Sequence, residues 1–275
     1  MRDTPWSLRF GAITICILVV ICTGYPVLWT LSAALKSNAQ LVANPFGLPW
    51  PPEFQSMVKV WQGGEFFGFF RNSLIISLLS VGGILPMAAM AAYVFARRRL
   101  RAVGFLFGIF IVGMMIPGQV IMIPVFRIMA TLGLNNTIWS VILIHLTWMP
   151  FGIFLLRTHF LSVPVELGDA ARIDGCSEYG VFGRVYLPLA APALVTLAIF
   201  EFIWTWNDYF WPLILIRDIR WFTIQQGAQR FQARFLIDYS MRNAGLVFTF
   251  LPPLAFYLIF RKGIQKGLVQ GAVKG

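Results

Sequence analysis

Six stretches of the chain are apolar over enough length to cross a membrane as helices, which takes about 20 mostly apolar residues. They are residues 10–35, 73–96, 103–126, 138–156, 193–216 and 243–260. The pattern predicts an all-α polytopic membrane protein, with one transmembrane domain, 1–275, built of six spanning helices. Between the first two spans, 36–72 carries Asn44-Pro45 and Pro49-Trp50-Pro51-Pro52, which predicts a loop with one short surface helix. Between the fourth and fifth spans lies 163–192, an island of charge.

That island is punctuated as two short helices. Pro164 suits a first helical turn, where no backbone donor is needed. Glu166 and Asp169 follow in the early turns, where the helix dipole favours negative charge. Leu167, Ala170, Ala171 and Asp174 recur at i, i+3, i+4, i+7 and so share a face. Its two adjacent alanines leave it flat enough for another protein to approach closely. Gly175 can take a positive φ and end this helix, and Ser177 can cap a second one that runs to Pro188.

The order Asp169-Ala170-Ala171, three residues, Gly175, nine residues, Val185, one residue, Leu187-Pro188 resembles the EAA loop of bacterial ABC importer permeases. There the pattern is E-A-A, three residues, G, nine residues, I, one residue, L-P. Asp169 and Val185 stand in for Glu and Ile, both chemically close. Arg172-Ile173-Asp174-Gly175, the run from Trp206 to Pro212 and the tail Gly271-Ala272-Val273-Lys274-Gly275 are similar to the carbohydrate branch, the maltose-type permeases. The resemblance implies a type I-like ABC importer fold with a cytoplasmic coupling helix. It implies that an ABC ATPase dimer docks on Glu166, Asp169, Ala170, Ala171, Asp174, Gly175, Leu187 and Pro188. It also implies a second, non-identical permease subunit, an extracytoplasmic solute-binding protein, a sugar as cargo and the bacterial inner membrane as location.

Composition agrees with a membrane protein. Of the residues 58% are hydrophobic and 12% charged, where a soluble domain carries about 25% charged. The net charge of +11 does not point to nucleic acid, because the basic residues gather at the ends of apolar stretches, as insertion favours. With the N-terminus inside, thirteen of the 22 Lys and Arg fall on the inner side and nine on the outer. Arg97-Arg98-Arg99 is the strongest inward signal, and the five arginines between the last two spans oppose it. Cytoplasmic termini are expected, which also puts the charged island where an ATP-using partner can reach it. The three cysteines give no disulfide framework or metal site. The N-terminal apolar run is too long for a cleavable signal.

No Gly-Lys is followed by Ser or Thr, so there is no phosphate loop. The chain is expected to be no enzyme and to hold no cofactor, with ATP bound by the partner subunit. The fifth span carries a polar stripe: Glu201, Trp204, Thr205, Asp208, Trp211 and Pro212 lie at i, i+3, i+4, i+7, i+10, i+11 of one helix. Carboxylates inside a span are costly and face a cavity or a partner. Indole rings stack on sugar C–H faces, so this stripe and Gln119 of the third span are the candidate substrate path. Against this, Tyr209 and Trp211 also suit an interfacial aromatic belt, and Glu201 suits a structural hydrogen bond. Pro117, Pro124, Pro150, Pro252 and Pro253 can kink their spans, as a gate needs. His145 is expected to be a satisfied core histidine.

The expected function is therefore one permease subunit of an ATP-driven sugar importer. Two alternatives stay open: the same architecture carrying a polyol, a glycerol phosphate ester or an oligo-uronide, or an ion-coupled secondary transporter using Glu201, Asp208 and His145 as proton sites.

Overall fold

The computed structural model describes residues 6–63, 65–97, 101–234 and 238–272. Arg2, Arg98, Arg99 and Lys274, which bear on orientation, lie outside them. The described chain is helical, with no strand among the described residues. In order come α1 (Trp6–Ala34), α2 (Asn38–Ala43), α3 (Gln55–Gln62), α4 (Glu65–Arg97), α5 (Arg101–Met114), α6 (Met122–Thr131), α7 (Ile138–Leu146) and α8 (Met149–Ser162). Then follow α9 (Val165–Ile173), α10 (Glu178–Val181), a π-helical turn (Phe182–Tyr186), α11 (Leu187–Leu189), α12 (Ala191–Asn207), α13 (Phe210–Leu215), a 3₁₀ turn (Ile219–Trp221), α14 (Ile224–Arg234) and α15 (Tyr239–Ala272).

Four described helical stretches are long and apolar enough to cross a membrane: Arg9–Ala34, Glu65–Arg97, Ile138–Ser162 and Tyr239–Arg261. A fifth is the pair Glu178–Leu189 and Ala191–Asn207, bent by 74°. Length and composition thus return four or five spans rather than the expected six. The third expected span is two shorter apolar helices, α5 and α6, parted at Pro117-Gly118. Proline lacks the N–H that would continue the ladder and pushes Ile116 out of the helical region. Segment 36–72 holds two short helices, α2 and α3, where one was expected.

Three threonine hydroxyls of α1 are satisfied locally. Thr14, Thr23 and Thr30 of α1 each donate to the carbonyl one turn back, at 3.0, 2.7 and 2.8 Å. In hydrocarbon no water can take that role.

The chain forms two compact units. The first comprises 1–67 and 227–251. Phe66 packs edge-on to Phe231, and Trp61 lies 5.2 Å from Phe248. The buried Lys36 ammonium donates to the carbonyls of Asn44 and Pro45, so the loop after α1 folds back on the helix end. Ser37 and Gln40 form a capping box that starts α2.

The second unit comprises 68–226 and 252–275. Its main core joins Ala88, Ala89 and Ala92 of α4, Ile153, Leu156 and Phe160 of α8, and Ala193 and Leu197 of α12. Gly152 makes this possible: a Cβ there would lie 2.8 Å from Leu197 and 3.0 Å from Ala88. A second cluster gathers Ile76, Val141, Ile144, Trp211 and Leu215.

Candidate functional site

Two features of the second unit carry chemistry. The first is the charged island, whose local folding follows its sequence. Pro164 sits at the N-cap of α9. Gly175 ends it with φ +83°, a left-handed conformation that glycine adopts without strain. Ser177 caps α10 by accepting from the Gly180 N–H.

One face of α9 rests on the spans. Gly168 is buried against Tyr186, and Ala171 packs on the main core. Tyr186 in turn lies 5.2 Å from the Tyr93 ring and beneath the Arg97 guanidinium. Arg97 of α4 donates to the carbonyls of Phe160 and Val163. It thereby adds a donor to carbonyls at the end of α8, where the helix dipole also favours a cation.

Arg172 donates to Asp169 at 2.7 Å and to Glu178 at 2.9 Å, and the other Glu178 oxygen accepts from the Tyr93 hydroxyl at 3.0 Å. The Glu178 carboxylate beside it holds the Arg172 guanidinium above its ordinary range. The chain Asp169–Arg172–Glu178–Tyr93 ties α9 and α10 to the end of a spanning helix.

The other face of α9 is open. Glu166, Leu167, Asp169, Ala170 and Asp174 are exposed, as is Pro188 on α11. Ala171 faces the core instead, because α9 has to bury one stripe to stay seated, and Leu187 of α11 packs on the same core. Sequence reasoning gives no docking role to two neighbours, Ile173 and Tyr179, which are 85% and 89% exposed. Their signal is a large apolar residue standing alone among charges.

The second feature is a cavity of about 600 Å³. Three helix breaks meet there: 115–121 between α5 and α6, 147–148 between α7 and α8, and 208–209 between α12 and α13. Non-helical backbone at membrane depth is tolerated where it lines a cavity or is buried in protein. Its wall is aromatic, from Trp148, Phe151, Trp204 and Trp211, with Asn207, Asp208 and Thr147 as polar groups and no basic residue among the described lining. Gly118 admits the Trp211 ring, since a Cβ there would lie 3.2 Å from it.

The expected stripe on the fifth span is divided. The helix ends at Asn207, and Asp208 is extended (φ −65°, ψ 120°), so residues 201 to 212 do not share one helical face. Trp204, Asp208 and Trp211 line the cavity, whereas Glu201, Thr205 and Gln119 are not among its lining. Thr205 is buried and donates to the Glu201 carbonyl. Gln119 is exposed on the loop between α5 and α6. Glu201 is fully buried, and neither carboxylate oxygen has a hydrogen-bond partner among the described residues. His145 is a satisfied core histidine as expected, with a partner on each ring nitrogen.

The model of the binding-protein-dependent transport system inner membrane component family matches residues 84–270. The chain belongs to this family. It is a helical, multi-pass ABC importer permease, a transport component and not itself a catalyst. It is 34% identical over 261 residues to the probable ABC transporter permease protein YurM of Bacillus subtilis, covering 94% of this chain and 86% of that one. It is 32% identical to the arabinooligosaccharides transport system permease protein AraQ of Halalkalibacterium halodurans, covering 98% and 96%. Among solved structures, a chain of a bacterial ABC transporter involved in the import of the acidic polysaccharide alginate superposes with a TM-score of 0.81 at 25% identity, covering 95% of this permease and 99% of that chain.

Proposed function

We propose that this permease forms half of the translocation path of a sugar importer and receives the work of ATP hydrolysis through α9. The observation that carries the reading is the open face of α9, held rigidly to the spans by Tyr186 and by the Asp169–Arg172–Glu178–Tyr93 chain. An ATPase subunit that grips Glu166, Asp169, Ala170, Asp174 and Gly175 moves α4 and α12 with them. Leu187 and Pro188 close the same motif, Leu187 and Ala171 acting from beneath by seating it. ATP and its chemistry belong to that separate subunit, and this chain carries no cofactor. The termini and α9 lie on the cytoplasmic side, and a solute-binding protein delivers cargo from the outside to this permease and a second, non-identical one.

A neutral oligosaccharide suits the cavity. Four aromatic side chains offer faces for sugar rings, while Asn207, Asp208 and Thr147 offer hydrogen bonds. Names such as that of the arabino-oligosaccharide permease support this cargo class. An acidic oligosaccharide is the second reading, favoured by the likeness to the alginate importer chain. The described cavity wall, with one carboxylate and no cation among its residues, favours the neutral cargo.

The test is reconstitution of the permease pair, the ATPase and the binding protein in lipid vesicles. Binding protein loaded with an arabino-oligosaccharide should stimulate ATP hydrolysis, and Asp174→Lys at the C-cap of α9 should abolish stimulation. Stimulation by an alginate oligosaccharide alone would replace the neutral cargo by the acidic one. Full stimulation in the α9 variant would remove the docking assignment.

A further inference from the structure

The buried polar groups around the cavity form a connected chain, of which the transport reading uses only the edge of Asp208 that reaches the cavity. His145 in the last turn of α7 is fully buried. Its Nδ1 lies 3.1 Å from the Ser80 hydroxyl of α4, and its Nε2 lies 2.9 Å from Oδ2 of Asp208. The other Asp208 oxygen accepts from the backbone N–H groups of Phe210 and Trp211, at 3.0 and 3.4 Å. Both oxygens of one carboxylate are thus engaged, one by a histidine from another span and one by the start of α13.

We propose that Ser80, His145 and Asp208 are a latch that fixes the break between α12 and α13, and through it the position of the tryptophan wall. Asp208 is here a positioning residue. Its extended backbone is the point where the helix stops, and its cap starts the next helix so that Trp211 turns onto Gly118. The pair joins the C-terminal end of α7 to the N-terminal end of α13. Ser80 serves either tautomer of the ring, since its hydroxyl can donate to a bare Nδ1 or accept from Nδ1–H. Trp148, whose ring centroid is 4.5 Å from that of His145, lines the cavity as well. The latch therefore touches the wall from two sides. The inference concerns the wall itself and holds whichever solute passes.

The experiment uses the intact importer in membranes, with the natural cysteines replaced by serine and a Thr147→Cys reporter on the cavity wall. The readout is its reaction rate with a small sulfonate-bearing thiol reagent. Asp208→Ala removes the cap and the histidine contact, and His145→Ala removes the contact alone. Both should speed the reaction roughly tenfold, as expected for losing one or two buried hydrogen bonds. Asp208→Asn should stay within about twofold of the parent, because its oxygen still caps α13 and its amide can donate to Nε2 while Nδ1–H donates to Ser80. His145→Gln, which keeps a donor toward Asp208, should fall between, and this holds the test open if an alanine variant fails to assemble. Equal rates in Asp208→Ala and Asp208→Asn overturn the latch, as does an unchanged rate in His145→Ala.

Discussion

Gly168 of α9 sits where a first side-chain carbon would lie 2.8 Å from the Tyr186 hydroxyl oxygen. The helix therefore rests directly on a buried ring of the π-helical turn, and any side chain at 168 lifts it. Gly168→Ala should reduce binding-protein-stimulated ATP hydrolysis severalfold, with an overpacking cost of about 1–3 kcal/mol. Tyr186→Phe in the same chain should restore much of the loss, because the next atom, a ring carbon, stands at 3.2 Å. Vesicle assays of the two variants decide it. An equal deficit in both would mean that this contact does not seat α9.

Glu178 joins the Tyr93 hydroxyl to Arg172. Arg172 and Glu178 are more than a third exposed, so their pairing should contribute less than about 1 kcal/mol to stability. Glu178→Ala is expected to leave the melting temperature nearly unchanged while uptake falls, since motion of α9 no longer reaches α4 through a hydrogen-bonded path. Arg172→Lys should behave like Arg172→Ala: one ammonium cannot reproduce the planar fork that serves Asp169 and Glu178 together. A melting temperature that drops in step with uptake would make the link structural rather than mechanical.

Gly175 ends α9 at φ +83°, and its N–H donates to the Arg172 carbonyl at 3.0 Å. Gly175→Asn should be tolerated, since asparagine visits this region. Gly175→Ala should cost about 1–2 kcal/mol. Gly175→Pro fixes φ near −65° and removes the donor, so it should lose the ATPase on co-purification. Retention of the ATPase by the proline variant would show that the turn is not needed for docking.

The caps of the charged island were legible in the sequence because capping is local: Pro164, Gly175 and Ser177 each act on their own turn. The apolar stretches were legible for the same reason. Of the three breaks that build the cavity, two fall beside Pro117 and Pro150, which the sequence marks as kinks, and the one at Asp208 carries no such mark. Hydropathy is blind to them, since an apolar helix lies on either side of each one. Proline alone does not single them out either. Pro117 and Pro150 lie in or just after breaks, while Pro26, Pro86, Pro252 and Pro253 sit within unbroken helices. What stops α12 is an aspartate engaged by a histidine 63 positions away, a relationship that periodicity cannot carry. The expected stripe from Glu201 to Pro212 ran one helix through that break and so placed Glu201 on the cavity.

Glu201 has no exposed surface and no hydrogen-bond partner among the described residues. With no exposed face in this chain, it offers nothing for a second subunit to touch. An unpartnered buried carboxylate destabilises, and an apolar residue of similar volume is often neutral or better by about 1–4 kcal/mol. Glu201→Met should therefore raise the melting temperature of the purified complex, whereas Glu201→Ala should lower it by leaving a void. A lower melting temperature in Glu201→Met would reveal a partner for the carboxylate.

The cavity assignment predicts a pattern of chemical access along 201–211. Trp204 and Asn207 are exposed and line the cavity, whereas Glu201 and Thr205 are buried away from it. In a chain without its natural cysteines, Trp204→Cys and Asn207→Cys should react with a small water-soluble thiol reagent, while Glu201→Cys and Thr205→Cys should not. Trp211 is only 4% exposed although it lines the wall, so Trp211→Cys should react more slowly than position 204. Gln119→Cys, exposed on its loop but off the lining, serves as the control: it should react, and cargo should not protect it. Adding binding protein loaded with an arabino-oligosaccharide, with ATP and the full importer, should slow positions 204 and 207 by about fivefold or more, as occupancy at several times Kd implies. A helix that continued unbroken would make positions 201, 204, 208 and 211 equally reactive. That result would refute both the break at Asp208 and the cavity as the path.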